Sequence, residues 1–303
     1  MNTLKRYLSL VKFSHTIFAL PFAMIGFFLA ITNADINLKE DARLGWGIQF
    51  PETWQLVLAK FFLVLVCMVT ARSAAMAFNR YLDRSFDAQN PRTAIREIPQ
   101  GIISPNSALR FVILNCLIFT LATYTINPIC FFLSPVALFV ILFYSYTKRF
   151  TALCHLVLGL GLSLAPIGAY LAVTGHFSLL PILFSFTVLF WVSGFDIIYA
   201  MQDIDFDQSQ ELRSIPSVLG AQKALKVSEA LHVLSAITVI VAGWYGGFHL
   251  GYWVGVIVFI GMLIYQHSIV KFNDLSRVNI AFMTANGIAS VVFGLLVIID
   301  LYL

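Results

Sequence analysis

Residues 54–87 read WQLVLAKFFLVLVCMVTARSAAMAFNRYLDRSFD, and this stretch changes character near its end. Residues 54–78 are almost entirely apolar, whereas residues 79–87 bring an asparagine, two aspartates and two arginines. An apolar run of about 20 residues is long enough to cross a bilayer as a helix. The stretch therefore predicts a membrane span that ends in a dense group of charged side chains.

Apolar runs of this length recur along the chain of 303 residues, of which 59% are hydrophobic and 11% charged. Soluble domains carry about 25% charged residues. A helix of a soluble core would show a polar stripe, and a transmembrane β-barrel would show short alternating segments; these runs show neither pattern. We count nine predicted spans, near residues 13–33, 54–78, 107–126, 129–147, 152–173, 179–201, 225–247, 250–270 and 281–302.

The sequence thus predicts an all-α polytopic membrane protein, with nine transmembrane helices in one bundle and cap segments at the cytoplasmic surface. Its membrane partner is lipid, and nothing in the sequence indicates nucleic-acid binding. We expect residues 1–303 to form a single domain of two pseudo-repeats, about 1–150 and 151–303.

The basic residues indicate how the bundle is oriented. Sixteen of the 19 Lys and Arg residues fall in the N-terminal head or in every second loop, whereas Lys39, Arg43 and Lys60 fall in the other connections. By the positive-inside rule, the N-terminus and the loops after spans 2, 4, 6 and 8 lie in the cytoplasm. We therefore expect an integral protein of a bacterial inner membrane, with its charged cap on the cytoplasmic side.

Two of these inner loops resemble each other. DRSFD at residues 83–87 is followed by REIPQG at 96–101, and DIDFD at 203–207 is followed by RSIPSVLG at 213–220. Each loop follows an even-numbered span. The repetition predicts two matching sites at helix ends, facing each other over one cavity.

The first acidic segment places oxygen ligands on one helix face. Residues four apart on a helix are neighbours, so Asn79, Asp83 and Asp87 form one ridge if the second span continues through them. The Asn-Pro pair at residues 90–91 is expected to end that helix, because proline disfavours helical geometry in the residue before it.

The second acidic segment repeats this arrangement. Asp196, Asp203 and Asp207 are seven and four residues apart and share a face, whereas Asp205 points elsewhere. Mg²⁺ prefers oxygen ligands and uses one or two carboxylates together with substrate phosphates. Neither ridge contains His or Cys, which argues against zinc.

Basic side chains lie among these carboxylates: Arg84, Arg92 and Arg96 in the first segment and Arg213 in the second. A lone arginine at an inner membrane edge is usually only a topology signal. Arginine beside a metal-binding carboxylate can instead bind phosphate oxygens through two parallel hydrogen bonds. The combination predicts a diphosphate held through metal ions.

A prenyl diphosphate combines such a head group with a tail suited to a membrane interior. Metal ions and cationic side chains would stabilise the leaving diphosphate, and an electron-rich acceptor would attack the allylic cation that develops. The site must exclude water to protect that cation. The 28 phenylalanines could line a tunnel for the tail, although they are also ordinary filling for membrane helices.

Four motifs carry a resemblance to a known family. NRYLDRSFD (79–87) and DIIYAMQDIDFD (196–207) resemble the two acidic motifs of the UbiA-type intramembrane prenyltransferases, YSYTK (144–148) resembles their Tyr-x-x-x-Lys element, and RTAIREIPQG (92–101) is similar to their basic loop. The resemblance covers nearly the whole chain. The sequence departs from the pattern at Arg96-Glu97, where many members read Arg-Pro.

The resemblance implies Mg²⁺-dependent transfer of a polyprenyl group to an aromatic ring, with two Mg²⁺ ions as cofactors. Its implied metal ligands are Asn79, Asp83 and Asp87 for one ion and Asp203 and Asp207 for the other, with Asp196 assisting. Tyr144 and Lys148 would lie beside the leaving diphosphate, and Arg92 and Arg96 would contact phosphates or the acceptor acid. The candidate residues are then Asp83, Asp203, Tyr144 and Lys148 for catalysis and Arg84, Arg92, Arg96, Lys148 and Arg213 for diphosphate binding.

Within the family, the sequence most resembles 4-hydroxybenzoate polyprenyltransferases of quinone (ubiquinone) biosynthesis. The opening KFSHTIFALPFAMIG is also similar to a bacterial subgroup that acts on a naphthoate in menaquinone synthesis. The substrates implied are a polyprenyl diphosphate and an aromatic acid. A cation would bind the acid, and Arg72 and His15 are the candidates; each also has a structural interpretation.

Other functions fit the sequence less well. A transporter would place ionisable residues near the bilayer midplane, whereas here the carboxylates gather at one edge. A non-catalytic prenyl-lipid binder has no need of a doubled metal ridge. Soluble prenyl-chain synthases use Asp-rich motifs but no membrane spans, and the YAMQD stretch favours quinone precursors over the haem or chlorophyll farnesylation of a sister family.

Overall fold

A computed structural model gives the fold and describes residues 3–11, 18–32, 43–49 and 52–303. The helices in chain order are α1 (Thr3–Leu10), α2 (Leu20–Thr32), α3 (Thr53–Leu82), α4 (Arg84–Gln89), α5 (Pro105–Ile126), α6 (Pro128–Thr147), α7 (Cys154–Thr174), α8 (Leu179–Ala200), α9 (Ile204–Ser209), α10 (Ile215–Leu219), α11 (Ala221–Gly246), α12 (Leu250–Ile269) and α13 (Asn286–Asp300). A 3-10 turn (Met201–Asp203) joins α8 to α9, and a π-helical turn (Ile280–Ala285) leads into α13.

The predicted all-α membrane bundle is confirmed. Over the described residues, eight helical segments are long and apolar enough to cross a membrane, and α2 is a shorter apolar helix at the place of the first predicted span. Residues 13–17 and 33 of that predicted span lie outside the described residues. The chain is an integral membrane protein.

Short polar residues set the helix boundaries. The Ser104 hydroxyl accepts a hydrogen bond from Ser107 N (3.2 Å) at the start of α5, and Asn127 accepts one from Cys130 N (2.9 Å) at the start of α6. Each cap precedes a proline at the first helical position, where the missing N–H costs nothing. The Asn127 amide also donates to Leu171 O (2.8 Å), which ties α6 to α7.

Close helix contacts and buried aromatic rings form the core. α2 packs on α7 and α13, and α8 packs on α7 and α11. A Cβ atom added at Gly26 would collide with the carbonyl of Pro166, so this glycine allows α2 to approach α7. Phe22 of α2 lies 5.4 Å from Trp191 of α8 and 5.8 Å from Phe293 of α13, measured between ring centroids.

The structure corrects two details of the expected chain path. The second span does not continue as one helix through Asp87, since α3 ends at Leu82 and Asp83 (φ −89°, ψ 7°) separates it from α4. Asp83 is held at this bend by side-chain contacts from other parts of the chain, which helical periodicity does not encode. The connection between the first two predicted spans contains an antiparallel pair, β1 (Arg43–Leu44) and β2 (Ile48–Gln49).

Candidate active site

The two acidic motifs meet at one end of the bundle, called the charged end below. It comprises residues 79–104, residues 148–153 after α6, and residues 201–219 from the 3-10 turn to the end of α10. The backbone bonds of a helix continue across the bend at Asp83, because Asp83 N donates to Asn79 O (2.9 Å) and Asp87 N donates to Asp83 O (2.8 Å). Each of the three ligand candidates of the first motif, Asn79, Asp83 and Asp87, therefore remains one helical turn from the next.

Each carboxylate of the first motif pairs with an arginine. Asp83 accepts hydrogen bonds from Arg149 (2.7 Å) and from the Asn79 amide (3.0 Å). Asp87 is buried, and both of its oxygens lie near one nitrogen of Arg96, at 2.7 and 2.9 Å. Burial raises the pKa of the Asp83 carboxyl above its ordinary value, although Arg149 acts in the opposite direction.

The second motif is paired in the same way. Asp203 binds the guanidinium of Arg92, with Arg92 Nε at 3.0 Å, and also accepts from the Asn90 amide (3.1 Å). Asp207 is buried and lies 2.7 Å from Lys148 Nζ and 2.9 Å from the Ser214 hydroxyl. Asn90 and Arg92 follow the first motif and bind Asp203 of the second, so the chain after the first motif contacts the second motif directly.

The end of α6 lies between the two motifs. Lys148 binds Asp207 of the second motif, and the adjacent Arg149 binds Asp83 of the first. The Lys148 carbonyl also accepts from Arg213 N (2.7 Å). Four aspartates and four cations are thus paired at the charged end, and each pairing offsets part of the repulsion between neighbouring carboxylates.

Asp196 lies within α8, before the 3-10 turn that carries Asp203, and has a different kind of partner. Its Oδ2 is 2.7 Å from His155 Nδ1, and His155 Nε2 accepts from Ile215 N (3.3 Å). The second contact assigns the proton to Nδ1, so the imidazole donates to the carboxylate. His155 thereby orients Asp196 and links it to the start of α10.

An aromatic ring supports Arg92. Its guanidinium lies 5.3 Å from the ring centroid of Tyr199 and donates to the Tyr199 hydroxyl (3.1 Å). Phe282, in the π-helical turn, also packs on Tyr199, with its ring centroid 4.2 Å from that of Tyr199. The cation–π contact and the hydrogen bond together restrict the directions that Arg92 can take.

Some predicted residues lie away from this group. Arg84 is exposed and donates to Tyr81 O (2.7 Å), and Arg213 is exposed and donates to Phe150 O (3.3 Å). Asp205 is exposed, unlike Asp203 and Asp207 on either side. His15 lies outside the described residues.

A cavity of about 400 Å³ enters the membrane part of the bundle between α3, α5, α6 and α7. Its walls are mostly apolar, with small residues such as Gly161 and Gly168 on α7. Arg72 and Tyr144 also line it, and Arg72 is its one charged residue among those described. The Nε atom of Arg72 is buried and has no hydrogen-bond partner within the described part of the chain, so an acceptor from a ligand would satisfy it.

The donor set at the charged end fits Mg²⁺. Its candidate ligands offer only oxygen atoms, from an amide and from carboxylates. In the segments the structure covers, no three His, Cys, Asp or Glu side chains are placed to enclose a metal ion by themselves. Mg²⁺ commonly binds one or two carboxylates and completes its shell with water and phosphate oxygens, so this arrangement suits an ion that arrives with a diphosphate.

Four residues with direct contacts here are not identifiable as site residues from the sequence. Arg149 has the pattern of a topology signal, although it adjoins Lys148. Asn90 has the pattern of a helix stop, and Tyr199 belongs to a family motif. His155 had no sequence signal, because its partner Asp196 is 41 residues away.

Comparisons with known proteins show the family and the fold. The model of the UbiA prenyltransferase family matches residues 19–288. A 4-hydroxybenzoate octaprenyltransferase from Tolumonas auensis is 30% identical over 254 residues, which are 81% of this chain and 88% of that protein. The apo structure of a UbiA homolog from Aeropyrum pernix K1 has a TM-score of 0.79 at 32% identity and covers 94% of this chain and 98% of its own.

A UbiA homolog from Archaeoglobus fulgidus, bound to DMAPP and Mg²⁺, shares the fold with a TM-score of 0.71 at 20% identity, covering 98% of this chain and 99% of its own. The family match includes both acidic motifs, the Lys148–Arg149 pair and the walls of the cavity. The chain therefore belongs to the UbiA prenyltransferase family and is a membrane-embedded prenyltransferase.

Proposed function

We propose that the protein transfers a polyprenyl group from a polyprenyl diphosphate to an aromatic acid in an Mg²⁺-dependent reaction of quinone biosynthesis. The acceptor that we propose first is 4-hydroxybenzoate. The observation that carries the proposal is the apolar cavity lined by Arg72, whose buried Nε has no hydrogen-bond partner among the described residues, beside a charged end in which carboxylates and cations are paired. The name of the Tolumonas auensis relative supports this acceptor.

The charged end would bind the diphosphate. Lys148, Arg92 and Arg96 each hold a carboxylate and are partly exposed, so they can exchange that carboxylate for phosphate oxygens. Asp83, Asp87, Asp203 and Asp207, with Asn79, would hold Mg²⁺, and the two separate motifs favour two ions. Bound Mg²⁺ would neutralise the charge that develops on the leaving diphosphate.

The cavity would hold the prenyl chain close to C1 and the acceptor ring. During transfer, the C1–O bond of the diphosphate breaks, a C1–C bond to the ring forms, and the ring then loses a proton. Apolar walls exclude water, which would otherwise capture the allylic cation. Tyr144 lines this cavity three residues before the end of α6, so it lies between the tail and the end that holds the diphosphate.

Arg72 would bind the carboxylate of the acceptor. Its side chain lines the cavity, and its Nε lacks a partner among the described residues. An arginine fork can hold a planar carboxylate through two parallel hydrogen bonds. This contact would fix the ring so that its nucleophilic carbon faces C1 of the prenyl group.

A dihydroxynaphthoate is the second candidate acceptor. The similarity of residues 12–26 to a naphthoate-prenylating subgroup favours it, and Arg72 could bind its carboxylate equally well. For either acceptor, we place the charged end on the cytoplasmic side, because the basic residues concentrate there. We also propose that the two halves, about residues 1–150 and 151–303, are pseudo-repeats of one domain.

A turnover assay in nanodiscs tests the proposal. Purified protein is supplied with geranyl diphosphate or longer homologues, with Mg²⁺ or EDTA, and with 4-hydroxybenzoate or a dihydroxynaphthoate. Mg²⁺-dependent prenylation of one acceptor supports the reaction and identifies that acceptor. Turnover that EDTA leaves unchanged would contradict the role of the metal, and failure to bind any prenyl diphosphate would contradict the proposed function itself.

A further inference from the structure

One buried carboxylate, that of Glu97, joins three segments near the charged end. One of its oxygens accepts a hydrogen bond from the guanidinium of Arg80 in α3, and the other accepts from the hydroxyl of Ser9 in α1. Arg80 is 3% exposed and Glu97 is 8% exposed. Separating a buried guanidinium from its counter-charge strongly destabilises the folded protein. This ion pair therefore holds Glu97 against α3.

The residues after Glu97 pack on the same helices. Ile98 and Ile103 are buried in one apolar cluster with Leu10 of α1 and Ala77 of α3. Ile103 N also donates to Glu97 O (3.1 Å), which closes the chain into a tight loop. Residues 97–103 are thus fixed to α1 and α3 by apolar packing and by one ion pair.

The residues just before Glu97 include two of the proposed diphosphate-binding side chains, Arg92 and Arg96. Arg96 directly precedes Glu97, and its side chain binds Asp87, whereas the Glu97 side chain binds Arg80. Arg92, five residues before Glu97, binds Asp203. A displacement of the backbone at Glu97 would therefore move both arginines relative to the acidic motifs.

We infer that Glu97 is a positioning residue for diphosphate binding: by holding Arg80 and Ser9, it sets the backbone from which Arg92 and Arg96 face the substrate. It does not touch the diphosphate itself. The inference rests on the proposed function, because it concerns affinity for that ligand. A purely structural ion pair would change the melting temperature and leave the affinity of the folded protein unchanged.

The test compares Glu97→Gln with the wild type in nanodiscs. The dissociation constant of geranyl diphosphate is measured by calorimetry with Mg²⁺, and KM and kcat are measured in parallel. We expect the dissociation constant and the KM for the diphosphate to rise at least tenfold, with less than a threefold change in kcat and in the KM of the acceptor. Glu229→Gln, at an exposed glutamate of α11, is the matched control.

The possible results separate this inference from the proposed function. Tight binding by the wild type with equal binding by folded Glu97→Gln overturns the inference alone. Failure of the wild type to bind geranyl diphosphate overturns the proposed function and the inference with it. If Glu97→Gln does not fold, Ser9→Ala decides, because it keeps the ion pair: a threefold or greater loss of affinity supports the inference, and unchanged affinity overturns it.

Discussion

The guanidinium of Arg92 binds the carboxylate of Asp203, which lies 111 residues further along the chain. The same carboxylate accepts a hydrogen bond from Asn90, two residues before Arg92. These contacts hold residues 90–92 against the second acidic motif. The two similar motifs of the sequence therefore lie in contact, and on the proposed function changes in either segment are expected to affect the same ligand.

Replacing Arg92 with lysine is expected to weaken diphosphate binding. Lysine keeps the charge but cannot form the two parallel hydrogen bonds of a guanidinium, and hydrogen bonds to charged groups contribute about 1.5–3 kcal/mol. We expect the dissociation constant of geranyl diphosphate to rise by roughly 10- to 100-fold. Calorimetry measures this, with Arg110→Lys at an exposed arginine of α5 as control. Equal affinity in Arg92→Lys would remove Arg92 from the diphosphate site.

Asp83→Asn and Asp203→Asn are each expected to lower kcat/KM by about 1,000-fold or more, since metal-held charge contributes several kcal/mol to such a transition state. The fold should survive, because asparagine is close in size to aspartate and its side-chain oxygen can still accept hydrogen bonds from the neighbouring arginine. Turnover and melting temperature are measured together. Asp205→Asn is the matched control, because Asp205 is exposed, whereas Asp203 and Asp207 on either side of it are buried. Wild-type turnover in either test variant would contradict the metal assignment.

Arg72→Gln is expected to act on the acceptor alone. Loss of a charge-assisted hydrogen bond should raise the KM of a carboxylated acceptor by roughly 10- to 100-fold, while the affinity for geranyl diphosphate stays within twofold. A phenol that lacks the carboxylate provides the internal control, because Arg72 has no group to bind on it. If both acceptors lose activity equally, Arg72 has a structural role.

Gly26→Ala is expected to destabilise the bundle without any effect on the chemistry of the site. The added Cβ would collide with the carbonyl of Pro166, and overpacking of this kind costs about 1–3 kcal/mol. The melting temperature in detergent should fall. Gly261→Ala is the matched control, since a Cβ at Gly261 meets no atom within 4 Å. Equal melting temperatures would show that α2 can move away from α7 at little cost.

Much of the fold could be predicted from the sequence, because crossing a membrane requires long apolar helices and little else. The bend at Asp83 could not, since backbone hydrogen bonds continue across it and no proline or glycine marks it. The β1–β2 pair could not either, because two-residue strands leave no periodic pattern. Helix starts at Pro105 and Pro128 carry readable caps.

The candidate site divides in the same way. The spacing of Asp83 and Asp87 and of Asp203 and Asp207 is visible in the sequence, since four residues correspond to about one helical turn. Which cation pairs with which carboxylate is not visible, because each partner except Arg96 comes from another part of the chain. The His155–Asp196 contact and the role of Arg149 depend on how α6, α7 and α8 pack, and packing has no local sequence signal.

The pairing of four aspartates with four cations gives the charged end the behaviour of an ion exchanger. On the proposed function, substrate loading would exchange one set of counter-ions for another: the carboxylates would give up arginine and lysine for Mg²⁺, and arginine and lysine would give up the carboxylates for diphosphate. The local charge would then change little at a membrane surface, where unbalanced charge is costly to desolvate. After release of diphosphate and metal together, each side chain would return to a partner that is already in place.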